Sequence, residues 1–210
     1  MSRNAFRAVL ASALFSMSLG GGAANLSFTG DFASDDDAQF FSFAVEGPAL
    51  NVVTLTTLSY AGGVSAAGAV ISPGGFDPVV SLFDGAGTLI AENDDGSDVI
   101  DPATGLSLDA FLQINIPAGA YVAALTQSPN FALGPGIADG FELAGTGNFA
   151  GGFFDVFGNP RDGHWALDIL GVAAAVPSPG TLWLLSVSLL GLALWRRQTH
   201  KRLERVRFRP

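Results

Sequence analysis

Two short runs of oxygen-bearing side chains are the places where this sequence could do chemistry. Asp35, Asp36 and Asp37 stand together, and Asn93, Asp94, Asp95 and Gly96 form a second run with Asp98 and Asp101 close behind. Hard oxygen donors on flexible loops are what a calcium ion collects, about six to eight at a time. Asp35, Asp36, Asp37, Asn93, Asp94 and Asp95 are therefore candidate calcium ligands. Neither run is an EF-hand. Setting Asn93, Asp95 and Gly96 on the third, fifth and sixth positions of that loop puts Ala91 first and Pro102 twelfth, where carboxylates are required. Calcium would need ligands converging from separate loops. The competing reading is turn chemistry, in which Asp and Asn side chains bond their own backbone.

Nothing else in the chain assembles a catalytic group. His164 is the one histidine between residues 25 and 176, whereas a zinc-protease helix needs two. There is no cysteine nucleophile and no Gly-x-Ser-x-Gly elbow. Paired carboxylates can hydrolyse glycosides, so an enzyme working on glycans through its loop aspartates is the alternative. The expectation is a protein without enzymatic activity.

The elements that would position these runs read as strands. Alternation and β-branched or aromatic content mark Leu26–Phe32, Gln39–Val45, Val52–Ser59, Pro78–Phe83, Thr88–Glu92, Ala110–Ile116, Ala120–Thr126 and Trp165–Leu170. Phe41, Phe43 and Val45 share one face, and Leu112, Ile114 and Ile116 oppose Phe111, Gln113 and Asn115. Asp84-Gly85-Ala86-Gly87 reads as a hairpin turn, and Pro117-Ala118-Gly119 as another. About eight short strands with turn signals between them predict an all-β, jelly-roll-like β-sandwich. Two stretches carry no such pattern. Residues 61–75 are rich in Ala and Gly, and residues 128–163 hold nine glycines and six phenylalanines. A loop that long packs on its own side chains or carries function, and the phenylalanines favour packing over an exposed aromatic platform.

The two ends of the chain read as addresses. Arg3 and Arg7, an apolar stretch from Ala8 to Leu19 and the small residues Gly20 to Ala24 make a signal peptide over 1–24, cleaved after Ala24. At the other end, residues 181–195 are uncharged and predominantly apolar, with Trp183 and Trp195 near their limits. Such a helix reaches roughly 22 Å, short of a hydrocarbon core of about 30 Å, and local bilayer thinning and snorkelling arginines cover the difference. Seven of the ten Lys and Arg residues follow it, in 196–210. The positive-inside rule places that tail in the cytoplasm and the domain outside, so the lipid bilayer is an expected partner.

The exported part, 25–171 as a domain with a Pro-containing linker over 172–180, has its own chemistry. Between residues 25 and 176 there are eighteen carboxylates and a single base, Arg161, a net charge of −17. That surface repels nucleic acid and suits cations. The 152 residues can bury about 68–70% of their unfolded surface, enough for a core without cross-links, and the chain has no cysteine to make one.

Two resemblances follow from these residues. Val176, Pro177, Ser178 and Pro179, the apolar helix, and Arg196 with Arg197 resemble the PEP-CTERM sorting signal of Gram-negative bacteria. It implies processing by an exosortase-type membrane enzyme and delivery to the cell surface or extracellular matrix. Ser178 stands where that family has Glu, and thirteen residues follow the arginine pair; an unprocessed, permanently anchored protein is the reading this departure leaves open. The domain, from Gly30-Asp31-Phe32 and Phe40-Phe41-Ser42-Phe43 through Phe76 to Asp84, Gly87 to Gly96 and Leu112 to Tyr121, resembles the bacterial pre-peptidase C-terminal modules. That resemblance implies a secreted β-sandwich of the kind that stands as an accessory module beside exported enzymes, with calcium in the collagenase relatives. The sorting resemblance, through its association with biofilm and exopolysaccharide systems, implies a structural or adhesive role with extracellular polysaccharide as the partner and calcium bridging the carboxylates to anionic glycans.

Overall fold

The computed structural model describes residues 24–47 and 49–172. Residues 1–23 of the expected signal peptide, the sorting motif from Val176 to Pro179, the apolar segment and Arg196 with Arg197 lie outside the described residues, whereas Ala24, the expected cleavage residue, is the first residue of a strand. Among those described, no helix is long and apolar enough to cross a membrane.

The chain forms β1 (Ala24–Asp31), β2 (Gln39–Val45), β3 (Asn51–Thr57), β4 (Gly63–Val64), β5 (Val70–Ile71), β6 (Pro78–Asp84), β7 (Leu89–Asn93), β8 (Phe111–Ile116), β9 (Gly119–Gln127) and β10 (His164–Val172). The long strands make two antiparallel four-stranded sheets, in the orders β1-β10-β3-β8 and β2-β9-β6-β7. Each of the eight sequence-predicted ranges falls on one of these eight strands. Alternation explains the success. Phe41, Phe43 and Val45 are buried while Gln39, Phe40 and Ser42 are exposed, as a strand with one covered face requires.

The two sheets share one core. Phe41 and Phe43, Val53 and Leu55, Val80 and Leu82, Ala123 and Leu125, and Leu167 and Ile169 supply its facing layers, so the arrangement is sandwich-like. Each fully buried Leu, Ile or Phe contributes about 1.5–3 kcal/mol. Trp165 closes the layer edge-on to Phe41, with ring centroids 5.5 Å apart. Gly30, its partner across β1 and β10, leaves room for the indole, because a Cβ there would lie 2.4 Å from the ring.

Two expectations are corrected. Pro117-Ala118-Gly119 does not close a hairpin. It carries the chain from β8 in one sheet to β9 in the other, with Tyr121 Oη donating to Pro117 O at 2.8 Å. Pro and Gly signal a reversal, but not which sheet the next strand joins. Residues 61–75, expected to be irregular, contain the small hairpin of β4 and β5, which leans on β1 and β10 through Ala67 N donating to Ser27 Oγ and Ala66 N donating to Asp168 Oδ2. The Asp84–Gly87 turn forms as predicted. Asp84 Oδ1 accepts from Ala86 N and Thr88 N, both at 2.9 Å, and Gly87 takes φ +84°.

Candidate functional site

The strand registers sort the connections to opposite ends. Ala24 pairs with Val172, Asn51 with Ile116, Val45 with Gly119 and Asp84 with Tyr121, so the start of β1, the end of β10 and the three short connections gather at one end. The four long connections, 32–38, 58–77, 94–110 and 128–163, all leave the other. These loops carry three, one, five and four acidic residues, thirteen of the eighteen between 25 and 176. Both acidic runs therefore sit on the same end of the molecule.

They do different work there. Asp35 is wholly buried and accepts from Phe149 N and Ala150 N, each at 2.7 Å, and from Gly152 N at 3.4 Å. Asp36 accepts from Ser34 Oγ and from Gly147 N at 3.0 Å, and these bonds hold its carboxyl below the ordinary range. Asp37 caps its own turn, accepting from Ala33 N and Ser34 N. The first run thus clasps residues 147–152 of the long loop. In the second run, Asn93 Oδ1 accepts from Phe111 N at 3.4 Å, and Gly96 bridges Ala110. No group of three or more His, Cys, Asp or Glu side chains is placed around a metal-sized point among the described residues.

Four residues that no motif singled out form the interior of this end. Asp109, wholly buried, accepts from Thr57 Oγ1, Ser59 N, Tyr60 N and Ala61 N at 2.7–3.1 Å. Asp155 accepts from Tyr60 Oη at 2.6 Å and from Asn159 Nδ2, Asn159 N and Phe157 N. Arg161 lies over the Tyr60 ring, its Cζ 3.8 Å from the centroid. It donates to Asp101 Oδ2 at 2.8 Å, to Gly75 O at 2.9 Å and to Tyr60 O. One guanidinium thereby ties three of the four long loops together, as a planar fork of donors can.

The titration directions follow from this wiring. Burial works to raise Asp101 and Asp155, but bonds from Arg161 and Thr104 to the first, and from Tyr60 and Asn159 to the second, outweigh it and hold both low. Burial and the bond to Asp155 push the Tyr60 phenol up to about 12. Asp77, the residue before β6, goes the other way. It is 2% exposed, and burial, then the charges of Asp95 and Asp94, push its carboxyl up to about 8. Asp95, though it reaches solvent, is also raised, by local desolvation and by Asp94.

The remaining candidates fall elsewhere. His164 Nδ1 meets Asp162 Oδ1 and its Nε2 meets Ser72 O at 3.0 Å, so both ring nitrogens are engaged in bracing the start of β10. Beside it lies an open cleft of about 400 Å³ lined by Thr29, Asp31, Ile71 and Ser72 among others. The phenylalanines of the long loop divide. Phe141 is buried and Phe153 stacks on Phe76, while Phe157 is 68% exposed next to Val156. The sequence signal that could have drawn attention to the interior network is the solitary Arg161 amid eighteen carboxylates; the isolated Asp77, Asp109 and Asp155 carry none.

Compared with known proteins, the chain matches no protein-family model and no curated sequence.

Proposed function

We propose that this protein is an exported, non-enzymatic module of the cell envelope or extracellular matrix, structural or adhesive, that presents its four long loops away from its attachment point. The observation that carries the reading is the polarity of the fold. Val172, from which the chain runs on toward the apolar segment, lies at the end opposite the loops. A PEP-CTERM-type signal processed by an exosortase-type enzyme fits the residues after it. The jelly-roll assignment is supported by strand order. Counting only the long strands, the sheets run 1-8-3-6 and 2-7-4-5, the pattern of two interleaved Greek keys. Pre-peptidase C-terminal-like modules and an extracellular polysaccharide partner belong to the same proposal.

The wiring of the carboxylates favours binding over catalysis. Asp35, Asp109 and Asp155 each accept three or more hydrogen bonds, which makes them fixed braces of the loops, their oxygens already committed to neighbouring donors. The test is to incubate the full-length protein with polysaccharide from the cell surface. Retention without release of reducing ends is expected. Release of reducing ends that a single Asp→Asn change abolishes would overturn the reading in favour of a glycan-active enzyme.

A further inference from the structure

β1 carries Ser27, Thr29 and Asp31 at a spacing of two, with Phe28 between them packed on the core. Alternation turns the three polar residues to the outer face of their sheet. On β10 the same alternation, with Trp165, Leu167 and Ile169 inward, turns out His164, Ala166 and Asp168. The register sets Asp31 opposite His164, Thr29 opposite Ala166 and Ser27 opposite Asp168. The small β4–β5 hairpin lies over this face and touches it at two places. Its turn reaches Asp168 and Ser27 through Ala66 N and Ala67 N, and Ser72 O, just past β5, meets His164 Nε2 at 3.0 Å. Between these two footings the hairpin arches away from the sheet. The cleft of about 400 Å³ opens there, walled by Thr29, Asp31, Val70, Ile71, Ser72 and His164. Sites that seat a small ligand begin at about 300 Å³.

The walls select for charge and shape. Thr29, Asp31 and Ser72 are exposed, so two hydroxyls and a carboxylate are open to a ligand, and Val70 and Ile71 supply an apolar side. Asp162, which meets His164 Nδ1, is a second exposed carboxylate beside the cleft. The domain's single Arg or Lys cannot answer them, since the guanidinium of Arg161 is committed to Asp101, Gly75 O and Tyr60 O. An acidic sugar would meet carboxylates with no arginine or lysine to hold it. A protonated amine instead gains a charge-assisted hydrogen bond, roughly twice as strong as a neutral one. Hydroxyls beside an apolar wall suit a pyranose, which has polar edges and a C–H face.

We propose that the cleft under the β4–β5 hairpin holds an amino-sugar unit of an extracellular polysaccharide, with its ammonium on Asp31, its hydroxyls on Thr29 and Ser72, and its C–H face against Val70 and Ile71. The inference rests on the adhesive reading for its polysaccharide and adds the kind of sugar. That sugar carries the opposite charge to the calcium-bridged anionic glycan expected from the acidic runs.

The test titrates the full-length chain in detergent micelles with a glucosamine hexamer, its N-acetylated counterpart and an alginate oligomer. The glucosamine hexamer should bind at least about tenfold tighter than the N-acetylated one, and alginate should not bind. Asp31→Asn should weaken the hexamer by at least about tenfold. Asp98→Asn, which removes the same charge from an exposed position outside the cleft, should change it by less than about twofold. Thr29→Phe, which fills the cleft from an exposed strand position, should abolish binding. Equal losses in Asp31→Asn and Asp98→Asn would mean plain attraction of a polycation to an acidic surface and would overturn the proposal. Preference for either other oligomer, or undiminished binding in Thr29→Phe, would overturn it too. Cell-surface polysaccharide retained equally by wild type and Asp31→Asn would sink the cleft and spare the adhesive reading. A wild type that binds the glucosamine hexamer in the cleft yet retains no surface polysaccharide would sink that reading and spare the cleft.

Discussion

The two ends of the sandwich solve the same problem, reversing the chain between strands, by different means. At the terminal end the reversals are local. The Asp84–Gly87 turn is closed by one side chain bonding residues two and four positions ahead and by one glycine at positive φ. At the loop end the reversals are up to 36 residues long, and no turn chemistry can hold them. Buried carboxylates do so instead, by accepting backbone N–H groups that the loops would otherwise leave unpaired. Asp109 gathers the first residues after β3, Asp35 gathers 149–152, and Asp155 gathers 157–159. A domain of this kind can do without disulfides because its staples are charge-assisted hydrogen bonds.

This contrast can be broken at its strongest point. Asp109→Ala strands four donors in a site with no water access, each unsatisfied group costing about 1–3 kcal/mol. A loss of about 4 kcal/mol or more is expected in urea denaturation. A loss below about 1 kcal/mol would mean that the loop end does not depend on its buried acids.

Acid should act on the same end in a graded way. Asp101 and Asp155 have folded values below those of the unfolded chain. Their contribution is complete above about pH 4, the unfolded aspartate value, and is lost as pH falls from there through the lower folded values. Hydrogen exchange followed from pH 5 down to pH 2 should show amides of 58–61 and 155–161 losing protection before those of β9 and β10. Uniform loss across the fold would contradict this.

The smallest effect belongs to the terminal end. Asp84→Ala removes one turn acceptor at the surface and should cost about 1 kcal/mol, with no change in exchange at the loop end. A cost similar to that of Asp109→Ala would erase the distinction between the ends.

How much of this could be read from the chain follows the same division. The strands were legible because Phe41, Phe43 and Val45, or Leu112, Ile114 and Ile116, repeat at the period of a half-covered strand. The two-residue strands β4 and β5 were not, since nothing in an Ala- and Gly-rich stretch alternates. The acidic runs were visible as runs, and the structure brings both to one end. What each aspartate does was hidden. Asp35, Asp36 and Asp37 are neighbours in sequence, yet they serve different backbone donors. Asp77, Asp109, Asp155 and Arg161 are scattered single letters, joined only by the return of β6, β8 and β10 to the same end. Sequence displays charge; it does not display which charges the topology will bury together.

The pairing of β10 has a mechanical meaning. It is an interior strand, bonded along its whole length to β1 and over four positions to β3, and it runs from the loop end to Val172. A pull on the chain beyond Val172, opposed by something gripped at the loops, acts along that strand. The hydrogen bonds on both flanks are then loaded together, in shear, and do not open one after another like a zip. A module wired this way bears tension along its long axis before any strand can peel away.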